Sequence, residues 1–198
     1  MKPISSDALK QIFTDARSFS AWLAQDVSDQ MLQDIYDLMK WGPTSANCCP
    51  VRIVFVKAGA YKEKLISCLA AGNVAKVQAA PVTAILAQDE KFYEQLPKLF
   101  SHAPAMREIF AKDKGLAEST AFRNSSLQGA YFILAARALG LDCGPMSGFD
   151  NKKLDALFFA GTSWKSNFIC SVGYGDKSKL FPRLPRLGFD ESCRVLKT

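Results

Sequence analysis

The chain has 198 residues, of which 48% are hydrophobic and 22% charged, the balance of a globular domain, and this excludes both intrinsic disorder and a fibrous repeat. At roughly 100–200 residues per domain the length gives a single domain spanning 1–198. Lysine and arginine outnumber aspartate and glutamate by 25 to 19, a net charge of +6, which admits an anionic partner, either nucleic acid or a phosphate-bearing cofactor; the basic residues are spread along the chain, and that spread favours the smaller partner.

In chain order, Ser28 caps a helix whose apolar residues Leu32, Ile35, Tyr36 and Met39 follow the i, i+3, i+4, i+7 pattern, and Gly42-Pro43 stops it. A loop, Trp41 to Pro50, leads to a β-branched and aromatic strand, Val51 to Lys57, and a helix, Tyr61 to Ala70. Pro81 opens a second strand, Val82 to Gln88. Leu96 to Gly115 has prolines, charges and the sole histidine, His102, without clear periodicity, and reads as an irregular or short-helical excursion over the surface. Ala117 to Leu139 is helical, roughly 34 Å long at 1.5 Å per residue, and closes on Gly140. Its second half is apolar nearly all round, which implies cover from a partner subunit. A turn-rich segment from Cys143 to Gly148, a helix from Asn151 to Phe159, a strand from Phe168 to Tyr174 and an extended tail complete the chain. The class is α+β, a sheet of about three to five strands with helices packed round it.

The six cysteines, Cys48, Cys49, Cys68, Cys143, Cys170 and Cys193, contain no C-x-x-C, and the vicinal pair cannot easily bridge itself, so reduced thiols are expected. Met1 to Asp7 lacks the basic-then-apolar pattern of a signal peptide, and the richest apolar run, Gly129 to Ala136, falls well short of the roughly 18 residues of a membrane span. A cytoplasmic protein without a membrane partner is the expectation. No G-x-G-x-x-G follows a strand and no Walker loop is present. One histidine among dispersed cysteines supplies neither a metal site nor a nucleophile with its base.

What remains is a set of polar segments suited to a phosphorylated organic cofactor, because phosphate takes Arg, Lys and backbone N–H while a ring edge takes fixed amides and hydroxyls. They are Arg17-Ser18 just past an N-terminal helix, Pro43-Thr44-Ser45-Ala46-Asn47 in the first long loop, and Asn73-Val74-Ala75-Lys76 after the second helix. Arg183 and Arg186 in the tail form a fourth, and Gly140 to Asp150 a fifth, where glycines permit close backbone approach to a ligand.

In this order the segments resemble the nitroreductase family of FMN-dependent oxidoreductases, from Arg17 to Arg186. The strings Lys40 to Asn47, Thr120 to Ala130 and Gly144 to Asp150 are similar to its malonic semialdehyde reductase branch. The resemblance implies a mainly antiparallel sheet surrounded by helices, in an intertwined homodimer with FMN at the interface and the C-terminal tail exchanged to the partner. It places Arg17, Ser18, Arg183 and Arg186 at the FMN phosphate. Asn73 and Lys76 come to the ring edge and ribityl, and Pro43, Thr44, Ser45 and Asn47 in a loop lent by the partner. Pro145, Met146, Ser147 and Gly148 form the turn whose backbone N–H groups approach the ring, with Ser147 addressing N5. Two basic residues of the family pattern fall here at Ser20 and Leu184, with Arg183 standing in for the second.

The implied activity is ping-pong hydride transfer from NADPH or NADH through flavin N5 to a second substrate, with no catalytic side chain. A small aldehyde such as malonic semialdehyde, reduced to 3-hydroxypropionate, is the expected acceptor, with Arg123 meeting its carboxylate. Promiscuous nitro and quinone reduction is the alternative. A different class, a non-catalytic flavin- or nucleic-acid-binding protein, rests on the net charge alone.

Overall fold

Four segments of β-branched and small apolar residues pair into one sheet. In the computed structural model, which describes residues 2–197, they are β1 (Val51–Val56), β2 (Val82–Asp89), β3 (Asp142–Met146) and β4 (Trp164–Gly173), ordered β1-β2-β4-β3 with every pair antiparallel. Met1 and Thr198, the ends of the expected domain and the first residue of the leader reading, lie outside the described residues. Around the sheet are α1 (Ser6–Leu9) with a π-helical turn over Lys10–Thr14, α2 (Asp29–Met39), α3 (Ala60–Ile66), α4 (Ala71–Ala79), α5 (Leu96–Leu99), α6 (Ala105–Lys112), α7 (Lys114–Ala138), α8 (Asn151–Phe158) and α9 (Phe189–Ser192). The architecture is the expected α+β one.

β2 is buried at every position, and its continuous apolar run reflects cover on both faces. Successive side chains point to opposite sides. Val82, Ala84 and Leu86 join Cys143, Cys170 and Val172 beneath Ile35 and Met39 of α2 and Phe132 and Ala136 of α7. Ile85, Ala87 and Ile169 pack on the other side against Leu65 of α3, Val77 of α4 and Leu154 of α8. A third, smaller core holds Cys48, Phe92, Leu96, Phe110, Ala117 and Ala121.

That third core explains the excursion: Leu96 to Gly115 folds as α5, α6 and the start of α7, pinned by Phe110 edge-on to Phe92 at 5.0 Å. The Ser28 hydroxyl accepts from Met31 N–H at 3.1 Å, as the capping pattern predicts. α7 begins earlier than Ala117 because the Asp113 carboxylate caps it, accepting from Leu116 N–H at 2.9 Å. It ends on Gly140 at φ +80°, the left-handed position where glycine is favoured.

Four local readings are corrected. The Tyr61 to Ala70 helix ends early, α3 stopping at Ile66, and a separate helix, α4, follows from Ala71. Asn73 to Lys76 therefore lies inside α4 rather than after a helix. Asp142 to Met146 of the turn-rich segment is an edge strand; Pro145 is tolerated there because an edge strand leaves alternate N–H groups unpaired. β4 begins at Trp164, its polar start pairing with β2 past a register shift at Leu86/Ala87. Among the described residues no helix is long and apolar enough to cross a membrane.

Candidate functional site

β3 organises the site. Along its outer edge run Ser18, bridged in parallel to Cys143, and Phe19, whose N–H donates to Cys143 O at 3.0 Å. The backbone here is so close that a Cβ on Gly144 would come within 2.3 Å of Phe19 O.

At the Cys143 end, the first polar segment meets the tail. Arg17 Nη2 donates to Phe181 O at 2.5 Å, and Arg183 Nη2 donates to Ala16 O at 2.9 Å. This reciprocal crossing lays residues 181–183 against 16–17. A cleft of about 620 Å³ opens beside it, lined by Arg17, Arg137, Lys177 and Arg183 together with Asp15 and Asp142. None of these six groups is in an ion pair among the described residues. Asp142 is engaged by Gly175 N–H, which donates to Oδ2 at 3.0 Å. Arg137 Nη1 donates to Ile12 O at 3.0 Å, while its buried Nε finds no protein partner. Sequence reasoning had left out Arg137 and Lys177. The signal for Lys177 was its nearness in sequence to Lys179, Arg183 and Arg186; that for Arg137 was a charge interrupting the most apolar part of a helix, where it needs a partner.

At the other end of β3 the chain turns through Ser147 and Gly148 onto α4. Gly148 O accepts from Ala70 N–H at 3.0 Å and from Asn73 Nδ2 at 3.0 Å. Lys76 Nζ donates to Asn73 Oδ1 at 3.1 Å, an i, i+3 pair on one face of α4. A Cβ on Gly148 would lie 2.7 Å from Asn73 Nδ2, so a larger residue there would push that amide aside. Pro145 and Ser147 are exposed and Met146 half-buried.

Three groups expected at the site are not brought to it within one chain. The Pro43 to Asn47 loop packs on α7 and α5: Ser45 N–H donates to Asn124 Oδ1 at 2.8 Å, Asn47 Nδ2 to Leu99 O at 2.9 Å, and the Tyr131 hydroxyl to Pro43 O at 3.3 Å. Its shape is strained, with Ala46, Asn47 and Cys49 at positive φ. Arg123 is exposed on α7 in a shallow groove with Phe122 and Leu127. Arg186 makes hydrogen bonds only to the nearby carbonyls of Leu184 and Pro185.

All six cysteines are free. Burial pushes the Cys48 thiol up to about 11 and raises Cys68. The hydrogen bond with Cys143, then burial, raises Cys170 well above the ordinary range. These thiols stay protonated at neutral pH and offer no nucleophile.

A four-stranded antiparallel sheet of this order with helices on both faces defines an α+β fold, with a basic cleft and an amide-lined turn at the two ends of one edge strand. The chain is a member of the Nitroreductase family, whose model matches residues 3–174. The match takes in Arg17, Asn73 and Gly148 and stops short of Arg183 and Arg186. A candidate nitroreductase from Exiguobacterium sibiricum, solved in complex with FMN, superimposes with a TM-score of 0.86 at 19% identity over 99% of this chain and 100% of that one. A candidate nitroreductase from Bacillus subtilis gives 0.84 at 20% identity over 97% and 100%. A candidate NAD(P)H:FMN oxidoreductase from Staphylococcus epidermidis gives 0.82 at 18% identity over 99% and 100%. At these identities the likeness is one of fold.

Proposed function

We propose that this chain is an FMN-dependent NAD(P)H oxidoreductase of the malonic semialdehyde reductase branch, acting as a homodimer on a small aldehyde such as malonic semialdehyde. The observation that carries the cofactor reading is the layout along β3: a cleft rich in cations at Cys143 and a fixed amide, ammonium and backbone turn at Gly148. About 17 Å of extended chain separates them. That suits a ligand with a phosphate at one end and a flat polar ring at the other. The cleft fits a phosphate on a further ground, since its four cations outnumber its two carboxylates and none of the six is in an ion pair among the described residues.

The chemistry that FMN supplies when bound is two-electron hydride exchange between a nicotinamide and a second substrate. The protein's part is binding and orientation. Arg17, Ser18 and Arg183 would hold the phosphate; Asn73, locked between Gly148 O and Lys76, would offer its amide to the ring edge; and the N–H groups of Ser147 and Gly148 would donate to the ring, with Pro145 and Met146 shaping that turn. Arg186 joins the phosphate once the tail is seated on the partner subunit.

The dimer reading rests on two exposed surfaces. Phe122, Leu127 and Ala130 line a groove of about 500 Å³ on α7, and Phe181, Leu184, Leu187 and Leu196 of the tail are exposed. Burial of both against a second copy brings the Pro43 to Asn47 loop, with Thr44 and Ser45, to the other subunit's flavin. Arg123 on the same α7 face then meets the carboxylate of the aldehyde. The aldehyde itself rests on the likeness of the 40–47, 120–130 and 144–150 strings to that branch.

The test is the visible spectrum of purified protein reconstituted with FMN, before and after anaerobic NADH or NADPH, followed by turnover of malonic semialdehyde. A retained flavin band that bleaches, with aldehyde turnover exceeding that of nitroaromatics and quinones, is the expected result. Bleaching with turnover of nitroaromatics and quinones only would keep the reductase and replace its substrate. Protein that stays colourless after desalting overturns the cofactor.

A further inference from the structure

We infer that Arg137, in the last turn of α7, and Lys177, in the turn after β4, are phosphate-binding residues that replace the two basic positions missing at Ser20 and Leu184. The inference rests on the FMN reading above and concerns which residues of this chain hold the phosphate.

Two observations favour an anion in the cleft, and a third, the helix end beside it, sets how much positive charge an anion there requires. The first is charge. Four cations, Arg17, Arg137, Lys177 and Arg183, face two carboxylates, Asp15 and Asp142, across about 620 Å³, and no ion pair neutralises any of them among the described residues. The surplus of two matches a phosphate monoester, which carries about −1.5 to −2 at neutral pH. Without Arg137 and Lys177 the lining would be neutral.

The second is the unsatisfied donor. An arginine has five N–H donors and no acceptor, and Arg137 spends one on Ile12 O while its buried Nε has no hydrogen-bond partner among the described residues. The remaining terminal nitrogen, Nη2, carries no hydrogen bond among the described residues and is not shut off from solvent as Nε is, so it is the atom of Arg137 that can donate to an oxyanion in the cleft.

The third is the surrounding helix end. The C-terminus of α7 presents carbonyls and a negative dipole, which repel an anion. Gln11 Nε2 donates to Arg137 O at 2.7 Å and to Ala138 O at 3.3 Å, which occupies two of those carbonyls. A phosphate beside this helix end therefore needs additional positive charge, and Arg137 and Lys177 supply it. Arg137 is anchored by its own backbone and by Ile12, so its guanidinium is pre-positioned; Lys177 is exposed and contributes through a longer, mobile arm.

The experiment compares FMN with riboflavin, which differ by the phosphate alone. Apoprotein is titrated with each by flavin fluorescence quenching, in wild type and in Arg137→Met, Arg137→Lys and Lys177→Met, with circular dichroism as a check on folding. The expected result is that Arg137→Met weakens FMN about tenfold or more and riboflavin less than about twofold. Arg137→Lys should recover part of the loss, and Lys177→Met should weaken FMN about threefold, with a shallower salt dependence. Equal weakening of both ligands by Arg137→Met overturns the inference, because the residue then acts only through Ile12. Unchanged FMN affinity in both Met variants overturns it too. If Arg137→Met does not fold, Arg137→Lys and Lys177→Met decide by the same FMN-to-riboflavin ratio. Wild type that binds both flavins equally overturns the phosphate assignment and leaves the flavin reading standing; wild type that binds neither removes the cofactor reading itself.

Discussion

Gly144 and Gly148 are four residues apart, and each is held bare by a different kind of neighbour. A Cβ on Gly144 would meet the carbonyl oxygen of Phe19 at 2.3 Å, and one on Gly148 the Asn73 amide at 2.7 Å. Backbone cannot step aside as a side-chain amide can. Gly144→Ala is therefore expected to cost about 2–3 kcal/mol and Gly148→Ala about 1 kcal/mol in urea unfolding. Their effects on flavin affinity should invert: Gly148→Ala breaks the Asn73 hydrogen bond to Gly148 O and weakens FMN about tenfold, including riboflavin, since the ring end is disturbed. Unchanged flavin affinity in Gly148→Ala, or an effect on FMN alone, would show that Asn73 is not positioned through Gly148. The glycines were legible as places of close approach, because only their lack of a side chain permits it. Which atoms approach was not legible: the Asn73 partner lies 75 residues away and the Phe19 partner 125.

At the scale of elements, β3 and α7 decide the geometry, and each shows a different limit of sequence reading. β3 was hidden by its own composition, since Gly144-Pro145 is turn chemistry anywhere except at a sheet edge, and edge position is a property of topology. α7 was visible from its apolar second half, and the structure takes most of it into the core, with Phe132, Ala135 and Ala136 buried and Tyr131, Ile133 and Leu139 packed against them; the exposed apolar side chains are Leu127 at 43% and, in the first half, Phe122 at 56%. An exposed leucine contributes little to the monomer, so Leu127→Arg should leave its stability within about 0.5 kcal/mol. In the proposed dimer the same change buries an unpaired charge. Size-exclusion chromatography with light scattering should then report a monomer with diminished flavin content; a dimer that keeps its flavin would move the subunit interface off this face.

The molecule as a whole has a two-faced sheet and a third core at one end, and the smallest core carries a pH signature. Cys48 is fully buried there among Phe92, Leu96 and Phe110, and burial holds its thiol protonated up to about 11, against an ordinary 9.0. Between those values the unfolded chain gives up a proton that the folded chain keeps, so stability falls as pH rises through the window, by about 2–3 kcal/mol in all; below pH 9 the group contributes no slope. Cys48→Ala lowers stability at neutral pH through lost packing but flattens the alkaline decline, so the gap between variant and wild-type urea midpoints should narrow from about pH 8 to about pH 10.5. Parallel declines would place the Cys48 thiol in contact with water. The reciprocal crossing of Arg17 over Phe181 and Arg183 over Ala16 has one more outcome at this scale. It ties residues 16–17 to residues 181–183 across the whole sheet in sequence, so proteolytic removal of the tail from Phe181 onward would take Arg183 and one wall from the basic cleft while leaving all four strands in place.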